Sequence, residues 1–317
     1  MDRRTVQVLS ALAARDSVIT TRGAELAGVS GDELRAACAR GDLVRVRVDA
    51  YTTAERWEGL GDAERHRLRV LAAARRLRQP VFTHDSAAAL WRLPRVGRWP
   101  ESVHVSLPHG AGNRSSAGVR RHATPGPVGH VVTVDGVRVT GVARTVVDVA
   151  RTWELAAALA AADHALHRGW ATSSRLATEL EAAGTGRGVR RARRVVDAAS
   201  ARSESVGESL SRARMIELGL PLPELQHAVE DDAGVVGRVD FWWPELGLVG
   251  EFDGRLKYRA GGVSDGRTPE DRVWAEKRRE DRLRALGLQV VRWTWDTALD
   301  PDALRAVLAA SGVHPRT

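Results

Sequence analysis

The sequence predicts an α+β chain of several domains, and three observations carry that prediction. Helix-opening caps recur, with Ser30-Gly-Asp-Glu33 and Ser205-Val-Gly-Glu208 each setting a hydroxyl three residues ahead of a glutamate. Alternating or apolar strand-like runs, such as Leu43–Val48 and Val235–Trp243, stand beside these helical segments. A length of 317 residues, 43% hydrophobic and 28% charged, suits two or three domains with their own cores. The formal charge of +8 fits a polyanionic partner, most simply nucleic acid. Cys38 is the single cysteine, which excludes an internal disulfide and a cysteine-based zinc site. The first residues lack the apolar core of a signal peptide and no run of about 18 apolar residues occurs, so a cytoplasmic protein without membrane contact is expected.

The first 60 residues read as three short helices and a strand hairpin. Val8, Leu9 and Leu12 mark a helix over Thr5–Ala14, Arg22–Ala27 forms a second, and the Ser30 box opens a third that stops at Gly41. With the alternating run Leu43–Val48 behind it, this order makes a winged helix-turn-helix. Arg35 and Arg40 on the third helix and Arg45 and Arg47 on the wing then face phosphates or a groove. A winged helix used only for protein contacts is the plainer alternative. The segment resembles the N-terminal domain of AbiEi-type abortive-infection antitoxins.

Residues 61–183 read as an α+β middle domain. An arginine-rich helix over residues 62–78 precedes Val81–Pro94, where a helix capped near Asp85 or Ser86 is expected. His84, Asp85 and Ser86 are neighbours on one turn and cannot form the relay of a nucleophilic triad. Strands are expected at Ser102–Leu107, Val119–His122, Val131–Val134 and Val137–Thr140, followed by Gly141–Ala150 and an alanine-rich helix over Leu155–His167. This order resembles the middle domain of AbiEi-like proteins, which implies antitoxin action and a cognate toxin as partner. His164 and His167 have a metal-ligand spacing but lack further ligands, so a solvated helix face is expected. Gly184–Gly188 follows no strand and reads as a linker, not a phosphate loop.

In residues 189–317 two apolar runs, Val235–Trp243 and Leu248–Phe252, flank the turn Pro244-Glu-Leu-Gly247 and predict a buried hairpin. Asp240, Glu251 and Asp253 interrupt it. Alternation sets Glu251 and Asp253 on one face, and pairing across the turn brings Asp240 beside them. Carboxylates packed so closely call for a hard cation, Mg2+ or Mn2+. Lysine points the same way: of 48 basic residues only Lys257 and Lys277 are lysines, and both fall close behind this hairpin. Glu208 sits at the start of the helix Ser205–Leu218, Gln226 and His227 on the strand after it, and Lys277 and Arg278 on a basic helix over Arg272–Leu286 laced with ion pairs such as Glu280 with Arg284. Leu288–Thr294 is the last strand, and Asp296 caps a closing helix through Leu308.

Arg-Val-Asp-Phe, Glu-Phe-Asp-Gly, Glu-Lys-Arg-Arg-Glu-Asp-Arg-Leu-Arg and Val-Val-Arg-Trp-Thr-Trp, over residues 203–312, resemble the PD-(D/E)xK nuclease superfamily, in its branch similar to very-short-patch-repair endonucleases. The resemblance implies a restriction-endonuclease-like α/β domain with a mixed sheet and an endodeoxyribonuclease activity. Asp240 and Glu251 would hold the metal, Asp253 would add a ligand, Glu208 would join or orient the site, and Lys257 would supply the amine. Gln226, Arg255, Lys277 and Arg278 would contact nucleic acid. The superfamily usually has lysine where this chain has Asp253, so a protein that keeps the fold without cleavage, an AbiEi-like antitoxin or transcriptional regulator, is the alternative.

Overall fold

The structure, a computed structural model, describes residues 3–16, 18–107, 118–123, 129–254 and 268–315. Two compact units make up the chain: Met1–Arg151 with Thr178–Ala183, and Thr152–Ala177 with Gly184–Thr317. Among the described residues no helix is long and apolar enough to cross a membrane.

The first unit opens with α1 (Arg3–Asp16), β1 (Ile19–Thr20), α2 (Thr21–Leu26), α3 (Gly31–Arg40), β2 (Leu43–Arg47) and β3 (Ala50–Thr53). Leu9, Leu12, Ile19, Leu34 and Leu43 form its core, with Cys38 packed at the edge as a small apolar residue. Ser30 accepts from the Glu33 amide while the Glu33 carboxylate accepts from that of Ser30, so the expected capping box is closed, and Gly41 ends α3 in the left-handed region. The strands pair antiparallel in the order β1-β3-β2.

After α4 (Ala54–Gly59) and α5 (Asp62–Ala74) come β4 (Val81–Phe82), α6 (His84–Leu90), β5 (Val103–Leu107), β6 (Val119–Ala123), β7 (Val131–Val134), β8 (Val137–Thr140) and α7 (Val142–Ala150). The five strands lie in the order β6-β5-β4-β8-β7, with β5–β6 and β4–β8 parallel and the other pairs antiparallel. Phe82, Leu90, Val103 and Val139 anchor the core beneath this sheet. Helix α6 is capped two or three residues before the cap expected at Asp85 or Ser86. Thr83 is its N-cap, and the Asp85 and Ser86 side chains bond elsewhere.

The second unit holds α8 (Leu155–His167), α10 (Val189–Ala198), α11 (Val206–Glu217), β9 (Glu224–Asp231), β10 (Gly234–Trp243), β11 (Leu248–Asp253), α12 (Pro269–Ala285), β12 (Gln289–Thr294), α13 (Trp295–Leu299) and α14 (Pro301–Ala310); α9 (Ser173–Ala182) runs across the division of the chain. Small alanine side chains let almost all of α8 be buried, and α11 packs along it. The sheet order is β12-β11-β10-β9, antiparallel except for the parallel pair β11–β12. Parallel neighbours need a crossover, and α12 lies in that connection. The closing helix is two helices. Pro301 cannot continue a helix, and Asp300 caps the second by accepting from the Asp302 and Ala303 amides.

Candidate functional site

Helix α11 brings Glu208 to the sheet because two local features fix it there. Asp163, fully buried on α8, accepts from the Ser200 amide at 2.7 Å and the Ser209 hydroxyl at 2.9 Å, with Arg212 at 3.7 Å. Burial raises its pKa to about 6 against the pull of Arg212. One residue before Glu208, Gly207 has no side chain, and a Cβ there would lie 1.9 Å from the Phe252 ring on β11. Helix and strand approach that closely only with glycine.

The carboxylates meet on the face that this approach creates. Strand β10 pairs Phe241 with Gly250 and Trp243 with Leu248, so Asp240 stands one step beyond, beside Glu251. On its other side, the pairs Val239–His227 and Phe241–Leu225 set Gln226 opposite Asp240. The Gln226 amide donates to Glu208 Oε2 at 2.9 Å and to Asp240 Oδ1 at 3.3 Å, while the Phe252 backbone N–H donates to Asp240 Oδ2 at 2.9 Å. Ser205 accepts from the Glu208 amide, but the Glu208 carboxylate accepts from Glu204 and Gln226. The second half of the expected capping box is thereby replaced by a link to the site. Asp240 has its pKa raised to about 6, mainly by burial, with Glu208 and Glu251 adding like charge. Gln226 has φ 54, a rare conformation for a non-glycine residue and one that accompanies the aiming of a side chain at a site.

Glu251 belongs to a second group. Arg279 on α12 donates to its Oε1 at 2.6 Å and Arg292 on β12 to its Oε2 at 2.9 Å. Gly237 makes room for Arg279, since a Cβ there would lie 2.7 Å from its Nε. Neither arginine was singled out from sequence. The i,i+4 pairing of Glu280 with Arg284 is present as expected, whereas Arg279 crosses to another element. Asp253 stands partly buried at the end of β11. Lys257 and Arg255 lie outside the described residues. Lys277 is exposed with its ammonium 5.5 Å from the Trp274 ring, Arg278 is exposed, and His227 pairs with Glu224.

In the first unit Arg35 pairs with Asp32 and Arg40 with Asp42, both at the surface, and Arg45 is exposed. Arg47, half-buried, donates to the Gly118 carbonyl at 3.0 Å, and burial, then Arg69 and Arg76, lower its pKa. His164 stacks edge-on to Trp170 and His167 meets the Ala201 carbonyl. Among the described residues the metal-capable trio whose ligand atoms all lie within 4.8 Å of one another is His84, His104 and His122, not the carboxylates. The sequence carries no local signal for it, because His104 and His122 are 18 residues apart on different strands.

Comparison with known proteins adds a frame for the middle of the chain. Residues 51–198 match the AbiEi antitoxin C-terminal domain family. Two relatives from Mycobacterium tuberculosis, the uncharacterized proteins MT2308 (strain CDC 1551 / Oshkosh) and Rv2248 (strain ATCC 25618 / H37Rv), are each 33% identical over 190 residues, 60% of this chain. The chain spans 66% of the length of those relatives. A crystal structure of the RV2827C protein from Mycobacterium tuberculosis is 18% identical, with a TM-score of 0.36, over 62% of this chain and 78% of that one.

Proposed function

We propose that residues 189–317 act as a PD-(D/E)xK-like domain that hydrolyses nucleic-acid phosphodiesters with Mg2+ or Mn2+. On the same reading, residues 1–60 bind duplex DNA as a winged helix, and residues 61–183 set the protein in a toxin–antitoxin system beside a cognate toxin. The observation that carries the nuclease reading is the convergence of Glu208 and Asp240 on one amide, Gln226, with Glu251 near enough to raise the Asp240 pKa. The match of residues 51–198 to an antitoxin family supports the setting.

The donor set fits a hard divalent cation. Its ligands are oxygens, and Asp240 holds its charge reluctantly in a half-buried place beside two other acids, a conflict that a cation relieves. Asp240 and Glu251 would hold the ion, with Asp253 as a further ligand, and the ion would supply a water acidic enough to attack phosphorus near neutral pH. Gln226 bridges Glu208 and Asp240 by giving each an N–H. Arg279 and Arg292 hold Glu251 in place and offer guanidinium groups for phosphate oxygens. Lys257 is assigned the amine that balances charge on the phosphoryl group.

A second reading is favoured by the same two arginines. They occupy both oxygens of Glu251, and a domain so neutralised can bind nucleic acid or a toxin without cutting, as an antitoxin or regulator. Incubating the full chain with supercoiled plasmid and with single-stranded DNA in Mg2+, Mn2+ or EDTA separates the two. Cleavage that needs metal and disappears in Asp240→Asn is expected. Duplex binding without cleavage under any metal transfers the assignment to the regulator.

A further inference from the structure

We propose that His84, His104 and His122 form a binding site for one zinc ion in the first unit, independent of the carboxylate site. His84 opens α6, His104 lies on β5 and His122 on β6. Parallel pairing sets Val103 against Val119 and Ser106 against His122, so His104 and His122 point from the same face of adjacent strands, two residues out of register. The Thr83 amide bonds to the His104 carbonyl, which delivers His84 to the same spot. One ligand atom from each ring lies within 4.8 Å of the other two, and His104 Nδ1 to His122 Nε2 is 3.3 Å.

The three rings meet one another. His84 and His122 stack with ring centroids 3.8 Å apart, and the His104 ring is 5.0 Å from that of His122. His84 and His104 are 7% and 5% exposed, and His122 is partly buried. Burial lowers all three pKa values, to about 4 for His104 and His122, so their nitrogen lone pairs are free at neutral pH, the state in which imidazole binds metal.

A carboxylate stands beside His104, and a hydroxyl backed by a carboxylate stands behind His84. Asp85 Oδ2 is 3.3 Å from His104 Nδ1, and Asp148 Oδ2 accepts from Thr83 Oγ1, which is 3.1 Å from His84 Nδ1. Arg95 holds Asp85, and Arg144 holds Asp148. Metal-binding histidines are oriented by outer hydroxyl and carboxylate partners such as the Thr83–Asp148 pair, which leaves His84 Nε2 as its ligand atom, whereas Asp85 faces the same His104 nitrogen as His122 and so stands at the ligand position itself. His84 also has φ 49, backbone strain of the sort that accumulates at binding sites.

Nitrogen donors select the ion. Three imidazoles suit Zn2+, and also Co2+, Ni2+ or Cu2+, over Mg2+ or Ca2+, with water or Asp85 completing a tetrahedron. Zn–N bonds of about 2.0–2.1 Å need ligand atoms roughly 3.3 Å apart. His104 and His122 already meet that spacing, and His84 reaches it by leaving its stack on His122.

The test uses the full chain carrying Asp240→Asn, so that the carboxylate site does not contribute, freed of metal by a chelator and titrated with Zn2+ by calorimetry. One equivalent of zinc is expected, unaffected by millimolar Mg2+. His122→Ala should weaken it by at least about 100-fold, since even loss of an outer partner costs 10–100-fold. His164→Ala should leave it intact. Because a ring substitution can disturb folding, Co2+ is added to the parent chain as well, where the visible d–d bands of a four- or five-coordinate nitrogen site are expected. Absence of a stoichiometric zinc site in the parent chain, zinc binding unchanged by His122→Ala, or a purely octahedral Co2+ spectrum would each overturn the proposal.

Discussion

The histidine trio of the first unit and the carboxylate group of the second solve opposite electrostatic problems. Burial holds the imidazoles neutral, so they pack ring on ring even with the Asp85 carboxylate beside His104. Asp240 and Glu251 meet their own problem with hydrogen-bond partners, even though burial also pushes Asp240 toward its neutral form. One shares the Gln226 amide with Glu208 and the other takes two guanidinium groups. A cluster of bases can wait in a core uncharged, whereas a cluster of acids must be built together with its neutralising partners.

The largest effect that sharpens this contrast concerns cleavage. Asp240→Ala or Glu251→Ala should lower the metal-dependent rate on plasmid by at least about 100-fold, the scale of losing one preorganised charge at a reacting phosphate. Unchanged rates in both variants would remove the carboxylates from the chemistry. Among the lysines, Lys257→Arg is expected to lose most of the rate and Lys277→Arg to keep much of it, because an exposed helix position needs charge more than shape. The reverse pattern would move the amine to α12.

Acid should then drive the two units in opposite directions. His104 falls to about 4 from 6.5, so between those values the unfolded chain binds more protons, and the first unit loses up to about 3 kcal/mol from this residue as pH falls from 6.5 to 4. Asp240 rises to about 6 from 3.8, so here the folded chain binds more protons. The second unit gains about 2–3 kcal/mol as pH falls from 6 to 4, and Asp163 acts in the same sense. Hydrogen exchange across this pH range, followed separately in α7 and in β10, measures both signs. In Asp240→Asn the gain in the second unit should shrink, and metal-free stability at pH 7 should rise.

Gly207→Ala should cost about 1–3 kcal/mol in a thermal melt, since the new methyl collides with the Phe252 ring and displaces the helix that carries Glu208. A wild-type melting temperature would show that α11 can shift freely. The smallest effect expected is in DNA binding. Arg45→Ala, at an exposed strand position, should weaken duplex affinity a few-fold and reduce the salt slope by about 1, while Arg47, half-buried and bonded to the Gly118 carbonyl, contributes less to that slope.

What could be read from the chain was local. Apolar alternation located β10 and β11 and put Asp240 beside Glu251, because a two-residue period and a short turn leave few registers that bury Phe241 and Trp243. The Ser30 box and the Gly41 stop were likewise legible, since their partners lie within one helical turn. Ser205 shows the limit. The same pattern predicted a box there, yet the Glu208 carboxylate turns to Gln226, 18 residues away, a partner that no spacing rule names. Arg279 and Arg292 on Glu251, the glycine contact that seats α11 on β11, and the meeting of His84 with His104 and His122 were decided by tertiary structure alone. Covalent geometry dictates periodicity and caps within a few residues, whereas strand order and the burial that sets a charge state arise only when distant segments pack.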